Sequence, residues 1–531
     1  MTAQQAFDIL NPQQWINVST VERLALLEQI QNNLKHYAKD LGKIDAEMKN
    51  NLIGENITSV AEGMGTTVMP MAGTLMGIQY LYESLIKGEM PKPLHTEKIG
   101  DNLHEVLVFP IHTKDKLAAA KQKGYLHIEG VPKQVNPMDK PAGVIAVSGA
   151  GNYSSSIEMA MALFLENKVV IHKPHQLNEA TDVVWEKIFK PLIDINAVAF
   201  CDADQGKQLS TLEGLHALYF TGSTGVAHAI QNQASAPLVS ECGGNNPCII
   251  VPGKWTDKDL KRQAIQLASV GKLNGGAVCG RPQTIITSKN WEQREQFLDE
   301  LRRAITEETF ACGSHYPGVD KTKEAFLEHQ STAEVLHPEK GKHLKSDFVF
   351  IPNIAEEDFA ITNEAFCQVY SEIPLDVSID TGEFLTKVTG FCNQKLLGSL
   401  GCMILIDNET MEANEDQLNK AIRELNYGGI AVNDVPPNIW LNAYLTWGGC
   451  GETTENFVSG VGNFGNALNF ENIKKSVIKN DFNATSFELT NRKRVEHLLE
   501  NVSYYAINQS WGDFAKLAGQ MMIDNFKGKD F

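Results

Sequence analysis

The chain is predicted to be an α/β protein built on parallel sheets, and three observations carry that expectation. From about residue 141, short apolar runs alternate with amphipathic stretches: "GVIAVSG", "KVVIHKP", "AVAFC", "HALYFTGS", "APLVSECGG" and "NPCIIV". Near-continuous β-rich runs separated by helical patterns read as βαβ units whose sheet is covered on both faces. A second α/β section follows from about 247 to 465, opening with the helix candidate "TDKDLKRQAIQLASVGKL" and carrying the strand-like "SLGCMILID" and "GGIAVND". The 531 residues exceed what one hydrophobic core holds, so two or three domains are expected.

The flanks read differently. Residues 18 to 95 are expected to be helical: "VERLALLEQIQNNLKHYAKDL" repeats apolar positions every three or four residues, and Ser19 or Thr20 is available as a cap. The last fifty residues include "RKRVEHLLENVSYYAINQSWGDFAKLAGQMMIDNF", again helical in pattern. There is no convincing internal repeat and no low-complexity linker.

Composition narrows the function classes. Lys and Arg number 47 against 65 Asp and Glu, a formal net charge of −18, which repels a phosphate backbone or an anionic membrane. Neither nucleic acid nor membrane is an expected partner. The segment "MTAQQAFDILNPQQW" has no basic residue ahead of an apolar run and does not read as a signal peptide, and no apolar run approaches the roughly 18 residues of a membrane span. Nine cysteines, an odd number without a C-x-x-C pair, fit neither a disulfide framework nor a zinc site, so no metal is expected and the expected setting is a reducing cytoplasm.

Three residues are candidates for chemistry. Cys279 lies in "KLNGGAVCGRP", where glycines on the approach mark a sharp bend or a close approach, and where Arg281 and backbone N–H groups could favour the thiolate. Glu241, in "LVSECGGNNP", ends an apolar strand before two glycines and suits a general base with a raised pKa. Asn152, in "VIAVSGAGNYSSS", follows a strand end and could donate to an oxyanion. Each has a plainer reading taken singly: a buried inert thiol, a turn-forming carboxylate, a helix-capping amide. Two strand ends are phosphate or ribose candidates: "YFTGSTGVAHAI", with Gly222, Ser223, Thr224 and Gly225 before a helix, and "VVIHKPHQ", ending in Lys173.

Taken together and in this order, the segments resemble the NAD(P)-dependent aldehyde dehydrogenase superfamily over about residues 18 to 480. "PAGVIAVSGAGN" stands for the family's Pro-Trp-Asn segment, "VVIHKP" for its strand ending in Lys-Pro, and "FTGSTGVA" for its cofactor turn. "ECGGNNP" corresponds to Glu-Leu-Gly-Gly, "NGGAVC" to Asn-x-Gly-x-x-Cys, "NEAFCQV" to Glu-x-Phe-Gly-Pro, and "ELNYGGIAVND" to the Gly-x-x-x-Asn strand.

The resemblance implies an aldehyde-dehydrogenase-like α/β fold: two doubly wound domains, a small bridging β-ribbon and a helical C-terminal extension. The dinucleotide-binding domain would take residues 1–110 and 141–246, the catalytic domain 247–465, the oligomerisation ribbon 111–140 and 466–480, and the extension 481–531. Cys279 would be the nucleophile, Glu241 the general base, and Asn152 with the Cys279 N–H the oxyanion hole. Lys173 and Gln176 would face the adenosine ribose and Gly222 and Ser223 the pyrophosphate. Glu364 would hold the nicotinamide ribose with Phe366 beside the nicotinamide, and Cys242, in the leucine position after Glu241, is grouped with the cofactor contacts.

The implied function is NAD- or NADP-dependent oxidation of a small-molecule aldehyde to the acid through a covalent Cys279 thioester, by a homodimer or homotetramer. A coenzyme-A-acylating dehydrogenase and a non-catalytic scaffold or ligand binder on the same fold are the alternatives. Several positions depart from the family pattern: no Trp precedes Asn152, Ala227 replaces a glycine, and Cys367 and Gln368 replace Gly-Pro. The polar "NYSSS" suggests a more hydrophilic or reshaped entrance. Gln176, where NAD-preferring relatives often carry a glutamate, leans the expectation slightly to NADP or dual use.

Overall fold

The computed structural model describes residues 1–341, 343–484 and 487–527. The chain opens with helices, the longest being Thr20–Ile53 and Val60–Ile86. Ser19 starts the first of these with a reciprocal cap: its hydroxyl accepts from the Glu22 N–H at 3.3 Å and its own N–H donates to the Glu22 carboxylate at 2.8 Å. The two helices touch through glycines. A Cβ on Gly63 would lie 2.1 Å from the Gly42 carbonyl oxygen, so a side chain there would push the pair apart.

All six apolar runs become strands. Five form one fully parallel sheet in the order Val198–Phe200, Val169–Lys173, Val144–Ser148, Ala217–Thr221, Leu238–Glu241. The order reverses direction between Val144–Ser148 and Ala217–Thr221, which opens a crevice beyond their carboxyl ends. The sixth run, Asn246–Ile250, enters an eleven-stranded sheet, so residues 242–245 bridge the two sheets. Seven strands of that sheet, from Ile473–Lys479 across to Phe348–Ile351, run parallel, and Asn246–Ile250 and Pro282–Ser288 are neighbours near its centre.

The β-ribbon differs from the expected boundaries. His95–Gly100 and Leu103–Phe109, grouped above with the dinucleotide-binding domain, pair antiparallel with each other and then with Lys123–Glu129. Lys123–Glu129 in turn pairs with Ile473–Lys479, so the ribbon is continuous with the large sheet. The helical periodicity read over 18 to 95 stops at Ile86, where the alternation of Leu103–Phe109 takes over.

Residues 492 to 527 are helical, as Arg492–Asn508 and Trp511–Lys527. The first packs on Val60–Ile86 at Gly65, where a Cβ would sit 3.1 Å from the Leu499 side chain. No helix among the described residues is long and apolar enough to cross a membrane.

Candidate active site

The three candidate catalytic residues meet between the two sheets, where their strands end or begin. Asn152 follows Val144–Ser148, Glu241 is the last residue of Leu238–Glu241, and Cys279 lies three residues before Pro282–Ser288. All three line one cavity of about 440 Å³. Only Cys279 and Cys312 among the nine cysteines are not fully buried.

The Cys279 thiol lies close enough to the Glu241 carboxylate for each to shift the other's pKa. Burial pushes Glu241 up to about 7; the Cys279 thiol and the bond from Trp447 oppose that rise, and the nearby Glu158 and Glu364 add to it. Burial and then the Glu241 charge hold the Cys279 thiol well above its ordinary range. Arg281, expected to favour the thiolate, does not serve it: the guanidinium turns into the large sheet, donating to the Val369 carbonyl at 2.8 Å and the Pro282 carbonyl at 3.0 Å. The arrangement is a protonated thiol beside a carboxylate poised near neutrality to take its proton.

Asn152 is held at the same loop. One N–H of its amide donates to the Ala277 carbonyl at 3.2 Å, two residues before Cys279, which leaves the second N–H for another acceptor. Asn274 ties the loop back by donating to the Asn152 carbonyl at 3.1 Å. The glycines before Cys279 mark both a sharp bend and a close approach. Gly275 and Gly276 have φ of 65° and 85°, and their Cβ positions would fall 2.2 Å from the Gly313 oxygen and 2.4 Å from the Cys367 carbonyl carbon. They admit neighbouring backbone, and that contact fixes the turn that presents Cys279.

Two supporting residues escaped the sequence reading. Trp447 Nε1–H donates to Glu241 at 3.1 Å across 206 positions of sequence. Its ring is admitted by Gly280, Gly401 and Gly429, where Cβ atoms would approach it to 2.9, 3.1 and 2.5 Å. Three glycines scattered through the chain are its only trace, and nothing local links them. Asn246 donates to the Cys279 carbonyl at 2.5 Å and the Arg281 carbonyl at 3.0 Å, and accepts from the Gly401 N–H at 2.9 Å. It stands inside the quoted "ECGGNNP", so an amide beside the base was the available signal.

Of the serines after Asn152, Ser155 and Ser156 line the cavity. Ser154 pairs with Thr181 and Ser156 with His172 at 3.4 Å, while Tyr153 meets Trp440 edge-on at 5.1 Å within the cavity wall.

The expected cofactor residues lie around the crevice of the five-stranded sheet. Ser223 precedes the helix Thr224–Gln231 without a side-chain cap, and a Cβ at Gly225 would meet nothing within 4 Å, so N–H groups at this helix start face open space. Lys173 ends its strand with Nζ donating to the Pro174 carbonyl at 2.7 Å, and burial lowers its pKa. Gln176 is exposed just beyond it. Cys242 is buried under the crevice floor. Glu364 lies against Gly243, where a Cβ would come within 2.0 Å of its carboxylate, and it accepts the Gly244 N–H; burial pushes it up to about 7. Phe366 meets Tyr316 edge-on at 5.0 Å. A helix start open to an anion, strand-end polar groups and an inter-sheet carboxylate fit the phosphates and riboses of a dinucleotide.

Known proteins share this fold. The family model described as the aldehyde dehydrogenase family matches residues 116–317. An N-succinylglutamate 5-semialdehyde dehydrogenase from Enterobacter sp. (strain 638) is 33% identical over 172 residues, 30% of this chain, a match that spans about a third (34%) of that relative's length. Among solved structures, aldehyde dehydrogenase 21 from Physcomitrella patens, in complex with the reaction product succinate, has a TM-score of 0.59 at 16% identity and covers 88% of each chain. The NADP-dependent glyceraldehyde-3-phosphate dehydrogenase from Bacillus halodurans C-125, complexed with NADP, has a TM-score of 0.60 at 15% identity, over 90% of this chain and 91% of its own. Residues 116–317 thus match the aldehyde dehydrogenase family, and the solved structures share the fold of the chain.

Proposed function

We propose that the protein oxidises an aldehyde to the carboxylic acid with a nicotinamide cofactor. The observation that carries this reading is the Cys279 thiol beside a buried Glu241 carboxylate whose pKa is pushed up to about 7, with the Asn152 amide anchored two residues away. Glu241 takes the thiol proton as Sγ attacks the aldehyde carbon, forming the C–S bond. The charge that develops on the substrate oxygen is met by the second Asn152 N–H and the Cys279 N–H. A bound nicotinamide supplies the acceptor for the hydride that leaves this carbon. Glu241 passes that first proton to solvent and then deprotonates a water that attacks the Cys279 thioester; the C–S bond breaks, the acid departs, and the leaving thiolate takes the water's proton from Glu241 to regenerate the thiol.

Several finer points belong to the same reading. Lys173 and Gln176 would hold the adenosine ribose, Gly222, Ser223 and Cys242 would flank the pyrophosphate, and Glu364 and Phe366 would position the nicotinamide end. An exposed neutral amide at Gln176 does not repel a 2′-phosphate, which supports use of NADP or of both cofactors. The ribbon's outer strand, His95–Gly100, is exposed along most of its length, an unpaired edge that suits pairing between subunits.

The test is incubation with an aldehyde panel and either cofactor. Reduced nicotinamide and free acid without coenzyme A are expected, and Cys279→Ala should abolish both. Product that appears only as a coenzyme A thioester would replace hydrolysis by acyl transfer.

A further inference from the structure

We propose that the C-terminal helix Arg492–Asn508 forms part of the substrate site and makes it one for aldehydes with an extended, uncharged apolar tail. This deepens the reading of Cys279 as nucleophile and rests on it. The cavity that holds Cys279, Asn152 and Glu241 is also walled by Val495, Leu498, Leu499 and Val502. Those four positions recur at the spacing that places residues on one face of a helix. The same helix seats on Val60–Ile86 at Gly65, so the wall is anchored to the body of the protein. Opposite it stand Ile57, Met69, Tyr153, Trp440 and Leu441, again mainly apolar.

The charged groups bordering this end of the cavity are already paired. Arg492 donates to the Ile57 and Ala311 carbonyls, each at 2.8 Å, and to Glu62 at 3.1 Å. Lys49 meets Asp45 at 2.7 Å and donates to Thr66 at 2.9 Å. A substrate carboxylate or phosphate would therefore lose its hydration without gaining a free cation. An apolar tail would remove both its own surface and the cavity wall from water. A volume of about 440 Å³ falls within the usual range of sites that enclose a small ligand.

The experiment compares the whole protein and two variants on propanal, hexanal, decanal and succinic semialdehyde, and measures binding of propanoate and decanoate by calorimetry without cofactor. For the wild type, kcat/KM should rise at least about ten-fold from propanal to decanal, with the semialdehyde poorest. Val502→Trp, which fills the distal end, should lower the decanal-to-propanal ratio at least about ten-fold, mainly through KM. Val502→Thr keeps the side-chain shape, guards against misfolding, and should lower the ratio several-fold. A flat or inverted chain-length order, preference for the semialdehyde, or a ratio untouched in both variants would overturn the proposal. If no aldehyde is oxidised, the enzymatic reading fails by itself, and calorimetry decides the apolar site: decanoate binding weakened by Val502→Trp upholds it, and equal affinity for the two acids overturns it.

Discussion

At the residue scale, the site depends on the pairing of a thiol held protonated with a carboxylate that ionises near neutrality. Glu241 must be ionised to take a proton, so kcat/KM for aldehyde oxidation should rise with pH through about 7 and then level, an acid limb lost in Glu241→Gln. In that variant both acylation, which needs the thiol proton removed, and hydrolysis should slow, by about 10²- to 10⁴-fold, so pre-steady-state traces should show no burst of reduced nicotinamide. Trp447→Phe removes a bond that holds the Glu241 pKa down; the acid limb should move to higher pH, read from a pH–rate profile. Asn152→Ala should lower kcat by about 10²- to 10³-fold, with less effect on KM. Glu241 and Asn152 were legible because each sits where an apolar run visible in sequence ends, and Cys279 because glycines crowd its approach. Trp447 was not, because its link to Glu241 spans 206 residues and depends on three glycines that each read locally as nothing.

At the element scale, the turn before Cys279 owes its shape to what packs against it. Gly276→Ala would place a Cβ 2.4 Å from the Cys367 carbonyl carbon at φ 85°, so a loss of about 1–3 kcal/mol in urea denaturation is expected together with loss of activity. The strands of both sheets were readable because runs such as Val169–Lys173 and Asn246–Ile250 are buried throughout and carry consecutive apolar residues. The ribbon was misplaced because His95–Gly100 is mostly exposed and its sequence, "HTEKIG", carries no apolar alternation. The helical pattern of residues 492–508 was equally plain, yet periodicity gives a face without naming what the face meets. Gln176→Glu tests the cofactor crevice: it should reduce kcat/KM for NADP about ten-fold or more while sparing NAD.

At the scale of the whole molecule, two sheets meet around buried carboxyl groups, and that arrangement has a cost that varies with pH. Glu241 and Glu364 both bind protons up to about 7 when folded, whereas a carboxyl in the unfolded chain ionises near 4.5. Their folded pKa values are raised, so their contribution favours the folded state at low pH and is lost as pH rises from about 4.5 to about 7. Chemical denaturation across that window should show part of the slope removed in Glu241→Gln. The most direct measurement of the central claim is intact-protein and peptide mass spectrometry of the wild-type protein, acid-quenched within the first turnovers after mixing with aldehyde and nicotinamide cofactor. The account predicts one acyl group per chain, located on Cys279. Acylation at Cys312 instead, or steady production of reduced nicotinamide and acid with no acyl group on Cys279, would contradict it.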